Sequence, residues 1–160
     1  MSSPRDLAAI PSPALEGTAL TVVVPVGSFE QHGPHLPLDT DTRIARAVAQ
    51  ALPDVVVAPP AIEYGASGEH EGFAGTISIG AEAMETVVVE YGRSAFRWTK
   101  RVLFVNGHGG NGPALAKAVA LLRYEGVMLL GRRALFRVPT RMPDTLKRAY
   151  CCTFRPIWCT

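Results

Sequence analysis

The chain has 160 residues, 48% apolar and 19% charged, with a formal net charge of +2. This excludes a disordered chain and fits one domain, or a piece of a larger one, with a real hydrophobic core. No apolar run approaches the ~18–20 residues needed to cross a membrane, and the start, MSSPRDLAAIPSPALEG, lacks a basic region followed by an apolar one. A cytoplasmic protein without a membrane partner is therefore expected.

The first 18 residues are rich in Pro, Ser and Ala and read as an irregular lead-in. Residues 20–26 (LTVVVPV) form a buried strand, with Pro25 tolerable near its end. Thr40 or Asp41 then caps a helix to about Leu52, along which Ile44, Ala45, Val48 and Leu52 recur at helical spacing. Residues 54–58 (DVVVA) are a second strand, residues 59–75 a loop, 75–79 a short extended piece, and 81–98 a helix. Residues 101–105 (RVLFV) make a third strand, which runs through NGHGGNG into a helix over 113–124 with Pro113 in a permitted first-turn position. Strands alternating with helices predict an α/β fold with a mostly parallel sheet covered on both faces. In such folds ligands bind beyond the carboxyl ends of the strands, where both Gly-rich loops emerge.

Residues 27–41 (GSFEQHGPHLPLDTD) gather Glu30, His32, His35, Asp39 and Asp41 in a segment too rich in Gly and Pro for helix. Carboxylate oxygens mixed with imidazole nitrogens are the donor set of a hydrolytic divalent-metal site. Glu30 and His32, two apart, project to one side of extended backbone. Asp41 has two oxygens able to reach two cations, as in centres that activate water. His108 follows the third strand and adds a nitrogen. The candidate metal ligands are Glu30, His32, Asp41 and His108. His35 and Asp39 read as hydrogen-bonding or capping residues. Glu69 and His70 are the candidate substrate-binding pair, with a solvated loop as the other reading. Ser28 lacks the G-x-S-x-G elbow of a nucleophile.

Gly107, Gly109 and Gly112 also satisfy G-x-G-x-x-G between a strand and a helix, the context of a dinucleotide site. That reading wants an acidic residue at the end of the next strand. Glu125 comes too soon, and the segment after it is basic.

Three stretches, residues 27–41, 64–79 (YGASGEHEGFAGTISI) and 104–111 (FVNGHGGN), resemble the creatininase, or creatinine amidohydrolase, family in order and spacing. Residues 90–98 (EYGRSAFRW) and the GASGEH loop look closest to the branch associated with mycofactocin maturation, whose enzyme trims a modified precursor peptide. The resemblance implies a three-layer α/β/α sandwich, a pair of divalent ions (zinc, manganese or iron), hydrolysis of an amide-type C–N bond in a small amide or peptide, and homo-oligomers. By motif position it implies that Glu30 and His108 bind one ion, His32 the other, and that Asp41 bridges. On this basis residues 19–126 are the N-terminal part of a creatininase-like domain.

Residues 127–160 differ in composition. They hold seven Lys/Arg against one acid, Asp144, and all three cysteines, whereas residues 1–126 hold nine Lys/Arg against 13 acids. Cys151, Cys152 and Cys159 make neither a disulfide framework nor a zinc-ribbon spacing. No fold-level reason supports a nucleic-acid arm. Family members carry a later segment, HAGxTETS, whose glutamate completes the second metal site and whose histidine assists catalysis; the chain as read lacks it, which leaves the sandwich truncated and its catalytic residues unassigned. Read one base earlier, the codons of residues 142–153 (MPDTLKRAYCCT) permit His-Ala-Gly-His-Thr-Glu-Thr-Ser followed by Val-Leu-Leu-His. The expectation is a frameshift near residue 126, an out-of-frame basic tail with at most one strand over 127–137, and an impaired hydrolase. The alternative from a different class is a non-catalytic remnant that binds metal or a partner.

Overall fold

The protein is described by a computed structural model that covers residues 5–52, 56–57, 60–99, 101–126 and 135–137. In chain order the strands are β1 (Arg5–Asp6), β2 (Thr21–Val26), β3 (Val56–Val57), β4 (Arg101–Asn106) and β5 (Leu135–Arg137). Three helices connect them: α1 (Thr40–Gln50), α2 (Gly80–Ala95) and α3 (Gly112–Tyr124). Among the described residues these strands pair in parallel, and the sheet order is β1-β3-β2-β4-β5. The lead-in thus contributes an edge strand, which its Pro/Ser composition conceals. Of the strand expected over 127–137, residues 135–137 are seen. Residues 127–134 and 138–160, which hold the rest of the tail, its cysteines and the candidate hidden motif, lie outside the described residues. No helix among the described residues is long and apolar enough to cross a membrane.

The chain moves one way from β2 to β3 and the other way from β3 to β4 and β5. Right-handed crossovers then place α1 on one face and α2 and α3 on the other. The packing follows this, because alternate residues of β2 face opposite sides. Val22, Val24 and Val26 join Met84, Val88, Phe104, Leu115 and Leu122 in the larger core, on the α2/α3 side. Val23 packs with Val105, Ala49 and the flanking Val48 and Leu52 on the α1 side. Helices on both faces of a parallel sheet make the expected α/β/α layering.

The direction reverses between β2 and β4, which makes the carboxyl ends of these strands a topological switch point. Their register is level, with Val26 opposite Asn106. The next residue after each strand, Gly27 and Gly107, then leaves room for the first turn of α1. A Cβ on Gly27 would lie 2.1 Å from Thr42 Oγ1, and one on Gly107 would lie 2.3 Å from the Asp41 carbonyl oxygen. The helix start is wedged between the strand ends, and Asp41 comes with it. A side chain at position 107 would meet backbone, which cannot swing aside. Gly107→Ala is therefore expected to lower stability by about 1–3 kcal/mol, read as a lower urea midpoint with an unchanged slope.

Candidate metal centre

Three loops meet at the switch point. Residues 27–39 leave β2, residues 107–111 leave β4, and residues 60–79 cross over both. The crossing loop is pinned by backbone bonds from Gly27 N–H to the Ile62 carbonyl (2.8 Å) and from Ile77 N–H to the Phe29 carbonyl (2.9 Å). The structure brings Glu30, Asp41 and His108 together, with one donor atom of each within 4.8 Å of the others and all three residues buried. His32 closes the other side of Asp41.

The protonation of both imidazoles is fixed by backbone. His108 Nε2 lies 3.0 Å from the Ala66 carbonyl, which only accepts, so Nε2 carries a proton. Nδ1 then faces Asp41 Oδ2 at 3.2 Å and Glu30 Oε1 at 3.3 Å. His32 Nδ1 likewise donates to the Glu30 carbonyl at 3.0 Å, so its Nε2 is the atom facing Asp41 Oδ1 at 3.1 Å. Each oxygen of one carboxylate meets a different imidazole nitrogen. In the neutral imidazoles those nitrogens are lone pairs pointed at carboxylate oxygens, an arrangement that demands a cation or an added proton on each side.

The electrostatics express the same demand. Burial alone would raise the Asp41 carboxyl, yet hydrogen bonds with His108 and His32 hold it well below the usual carboxylate range. Burial pulls His108 down, but hydrogen bonds with Asp41 and Glu30 carry it up to about 10. His32 is raised by Asp41 against its own burial. Glu30 is lowered despite burial, chiefly by His108, with help from the Ser67 hydroxyl. Even so, Glu30 Oε2 and Ser67 Oγ are buried without a partner in hydrogen-bonding geometry. A buried carboxylate oxygen without a partner, beside two imidazoles whose other nitrogens are already committed, is a donor set that fits a divalent ion.

Neither Thr40 nor Asp41, the two residues the sequence offered, is the N-cap of α1. Asp39 takes the N-cap position and its carboxylate pairs with Arg43 at 2.7 Å, while Asp41 sits in the first turn, where the helix dipole favours negative charge. His35 is exposed. Glu69 and His70 lie at the mouth: Glu69 Oε1 is 3.6 Å from His108 Nε2, and His70 Nε2 is 3.6 Å from Glu30 Oε1. Ser28 is no nucleophile here; its hydroxyl donates to Asp41 Oδ2 at 3.0 Å.

Sequence reasoning missed the residues that hold the candidate ligands in place. Asn111 accepts from Ala66 N–H (2.8 Å) and donates to the Gly27 carbonyl (2.8 Å) and to Asn106 Oδ1 (3.2 Å), so it ties the three loops together. Asn106 in turn donates to the His108 carbonyl at 2.7 Å. Two buried asparagines on either side of the histidine were the available signal. Of the glycines in the nucleotide pattern, Gly107 serves the fold, since the space its Cβ would fill is taken by the Asp41 carbonyl oxygen at 2.3 Å. The space a Cβ on the neighbouring Gly110 would fill is taken by the Ala66 carbonyl oxygen at 2.3 Å and by His108 Nε2, so this glycine lets the 60–79 loop close over the histidine.

The chain resembles known proteins in sequence and in fold. The sequence model of the creatininase (creatinine amidohydrolase) family matches residues 12–153, running past the change of composition at residue 126. The mycofactocin precursor peptide peptidase of Mycolicibacterium smegmatis is 58% identical over 150 residues, covering 88% of this chain and 58% of its own length. The chain thus spans little more than half of that relative. Among solved structures, a creatininase of Zn-Zn type superposes with a TM-score of 0.71 at 22% identity, covering 94% of this chain and 65% of that one. A second, described as creatininase Mn, gives 0.70 at 21% identity over 91% of this chain and 63% of that one. Motifs, fold and family match together establish that the chain belongs to the creatininase family.

Proposed function

We propose that the chain is the N-terminal part of a metal-dependent hydrolase of amide-type C–N bonds, acting on a peptide in the manner of its mycofactocin-associated relative. One observation carries this reading: the two oxygens of Asp41 face two imidazole nitrogens whose tautomers are set by backbone carbonyls. Asp41 would bridge two divalent ions, with Glu30 and His108 completing one and His32 contributing to the other. The solved creatininases of Zn-Zn type and with Mn support zinc or manganese, and a pair of ions, for this chain as well. When bound, such ions supply Lewis acidity and bring a water's pKa toward neutrality. The chain's own residues do the rest. Glu30 and Asp41 supply the negative charge, and Ser28 steadies Asp41. The Ala66 and Glu30 carbonyls hold the imidazoles at fixed angles. The exposed Tyr64, Phe73 and Ile77 give the mouth an apolar rim for a peptide.

Residues 127–160 carry a second reading. We propose that they are translated out of frame, so that the hydrolase is impaired until HAGHTETS is restored. Their basic, cysteine-bearing composition and the codon permission at residues 142–153 support this, against the family match that runs on to residue 153. Reading the gene's nucleotides decides it: the bases over residues 142–149, taken one position earlier, are expected to encode His-Ala-Gly-His-Thr-Glu-Thr-Ser, and any other translation rejects the frameshift.

Asp41→Asn keeps the shape and removes the bridging charge. Because lost outer partners of metal sites already cost about 10–100-fold in affinity, this change is expected to weaken zinc binding by more than about a hundredfold. Titration calorimetry with metal analysis is the readout, and unchanged affinity would remove the reading.

Metal must displace a proton from His108, whose pKa stands at about 10. Apparent zinc affinity is therefore expected to climb roughly tenfold or more per pH unit from pH 6 to 9, steepest where His32 must also lose its proton, and to flatten above about 10. In the metal-free chain the sign is opposite. The raised histidine stabilises the fold below its unfolded value of 6.5, and that contribution fades as pH rises through about 10. Calorimetry in buffers of differing ionisation enthalpy would show the proton release directly.

A further inference from the structure

We propose that His70 is a hydrogen-bond donor to the substrate, held in its donor form by Gln31. The proposal rests on the amide-hydrolase reading. Gln31 is anchored twice: its backbone N–H donates to Thr76 Oγ1 at 3.2 Å, and its side-chain Oε1 accepts from Gly33 N–H at 2.9 Å. The second bond fixes which way the amide faces, and its Nε2 therefore meets His70 Nδ1 at 2.9 Å. An amide NH2 only donates, so Nδ1 of the neutral imidazole is the acceptor and the ring proton sits on Nε2. Phe73 flanks the ring, centroids 6.1 Å apart and planes tilted by 52°.

The Nε2–H so fixed points toward the metal centre. Glu30 Oε1 is 3.6 Å away, beyond hydrogen-bonding length, and among the described residues Nε2 has no closer acceptor. The His70 side chain is 28% exposed, where that of Glu30 is 5% exposed, so the donor stands on the solvent side of the ligand cluster. A polar hydrogen with a fixed direction and, among the described residues, no acceptor within hydrogen-bonding distance, at the mouth of a hydrolytic centre, is placed for an incoming carbonyl oxygen.

Amide hydrolysis adds one water to the carbonyl carbon, breaks the C–N bond and releases one carboxylate and one amine. Negative charge builds on the carbonyl oxygen as water adds. A preorganised N–H aimed at that oxygen binds it more tightly in the transition state than in the ground state. His70 shares its proton in this role and keeps it, so the stoichiometry is untouched. Gln31 acts through His70 and is a positioning residue.

The test begins with the metal-free protein. Nitrogen-15 NMR of the His70 ring is expected to show the single Nε2–H tautomer, and Gln31→Leu to turn it into a mixture. An Nδ1–H tautomer in the parent chain overturns the proposal whatever the metal does. Zinc affinity is then measured on the parent chain, which tests the hydrolase reading by itself, and on His70→Gln and His70→Leu. Gln places an NH2 near the former Nε2, while Leu retains bulk alone. Zinc affinity is expected to hold in both. Acetohydroxamate binding to the zinc-loaded chain is expected to fall about tenfold or more with Leu and to stay within about threefold of the parent with Gln. Equal binding by all three, or no binding by the parent, overturns the donor role. Loss of zinc affinity in His70→Leu also overturns it, by making His70 a ligand.

Discussion

One carboxylate between two imidazoles is the constraint around which the site is organised. Asp41 Oδ2 faces His108 at 3.2 Å and Asp41 Oδ1 faces His32 at 3.1 Å, and neither histidine can turn away because its other nitrogen is bound to a backbone carbonyl. The result is a group that is stable only with positive charge between its members. Protons supply that charge in the metal-free chain, as the raised His108 and His32 record. Divalent ions would supply it in the loaded one. The fold depends on the same cluster, since Asp41 opens α1 and α1 closes one face of the sheet.

The placement of that carboxylate follows from the sheet. β2 and β4 are neighbours in level register, and their shared end is where the chain reverses direction. Without side chains at Gly27 and Gly107, the first turn of α1 descends between the strand ends, which carries Asp41 to the His108 loop. Glu30 reaches the same point from the other side through its own backbone, whose N–H is tied to the Leu38 carbonyl at 3.0 Å. Candidate ligands drawn from two strand ends and one helix start sit on the rigid part of the molecule, and the variable loops are left to shape the mouth.

Much of this was legible in the sequence, for reasons that can be named. The apolar run LTVVVPV, the alternation of strand and helix, and the donor types of Glu30, His32, Asp41 and His108 are local signals, and each survives in the structure as a strand, a layer or a member of the cluster. The illegible part depends on contacts distant along the chain. Asn111 bonds to Gly27, 84 positions away, and Gln31 to His70, 39 positions away. An asparagine in a Gly-rich turn looks like turn chemistry, and nothing local says that it braces three loops. The edge strand at Arg5–Asp6 was hidden because its pairing with β3, not its own propensity, makes it a strand.

The choice of backbone carbonyls to orient both histidines has a chemical consequence. Metal-bound histidines are often oriented by carboxylates instead, which raise ligand basicity but add negative charge. Here Glu30 and Asp41 already place two carboxylates in a buried space. Two more behind the imidazoles would deepen the repulsion in the metal-free chain and offset the electrophilicity of any bound ions. Carbonyls fix the tautomers without adding charge. A pair of dications held by two carboxylates and two neutral imidazoles would keep a net positive charge at the point where a substrate carbonyl arrives, even after the later glutamate of the family is added. That excess, in surroundings where burial weakens screening, is what an amide, the least electrophilic of common acyl groups, requires of a hydrolytic centre.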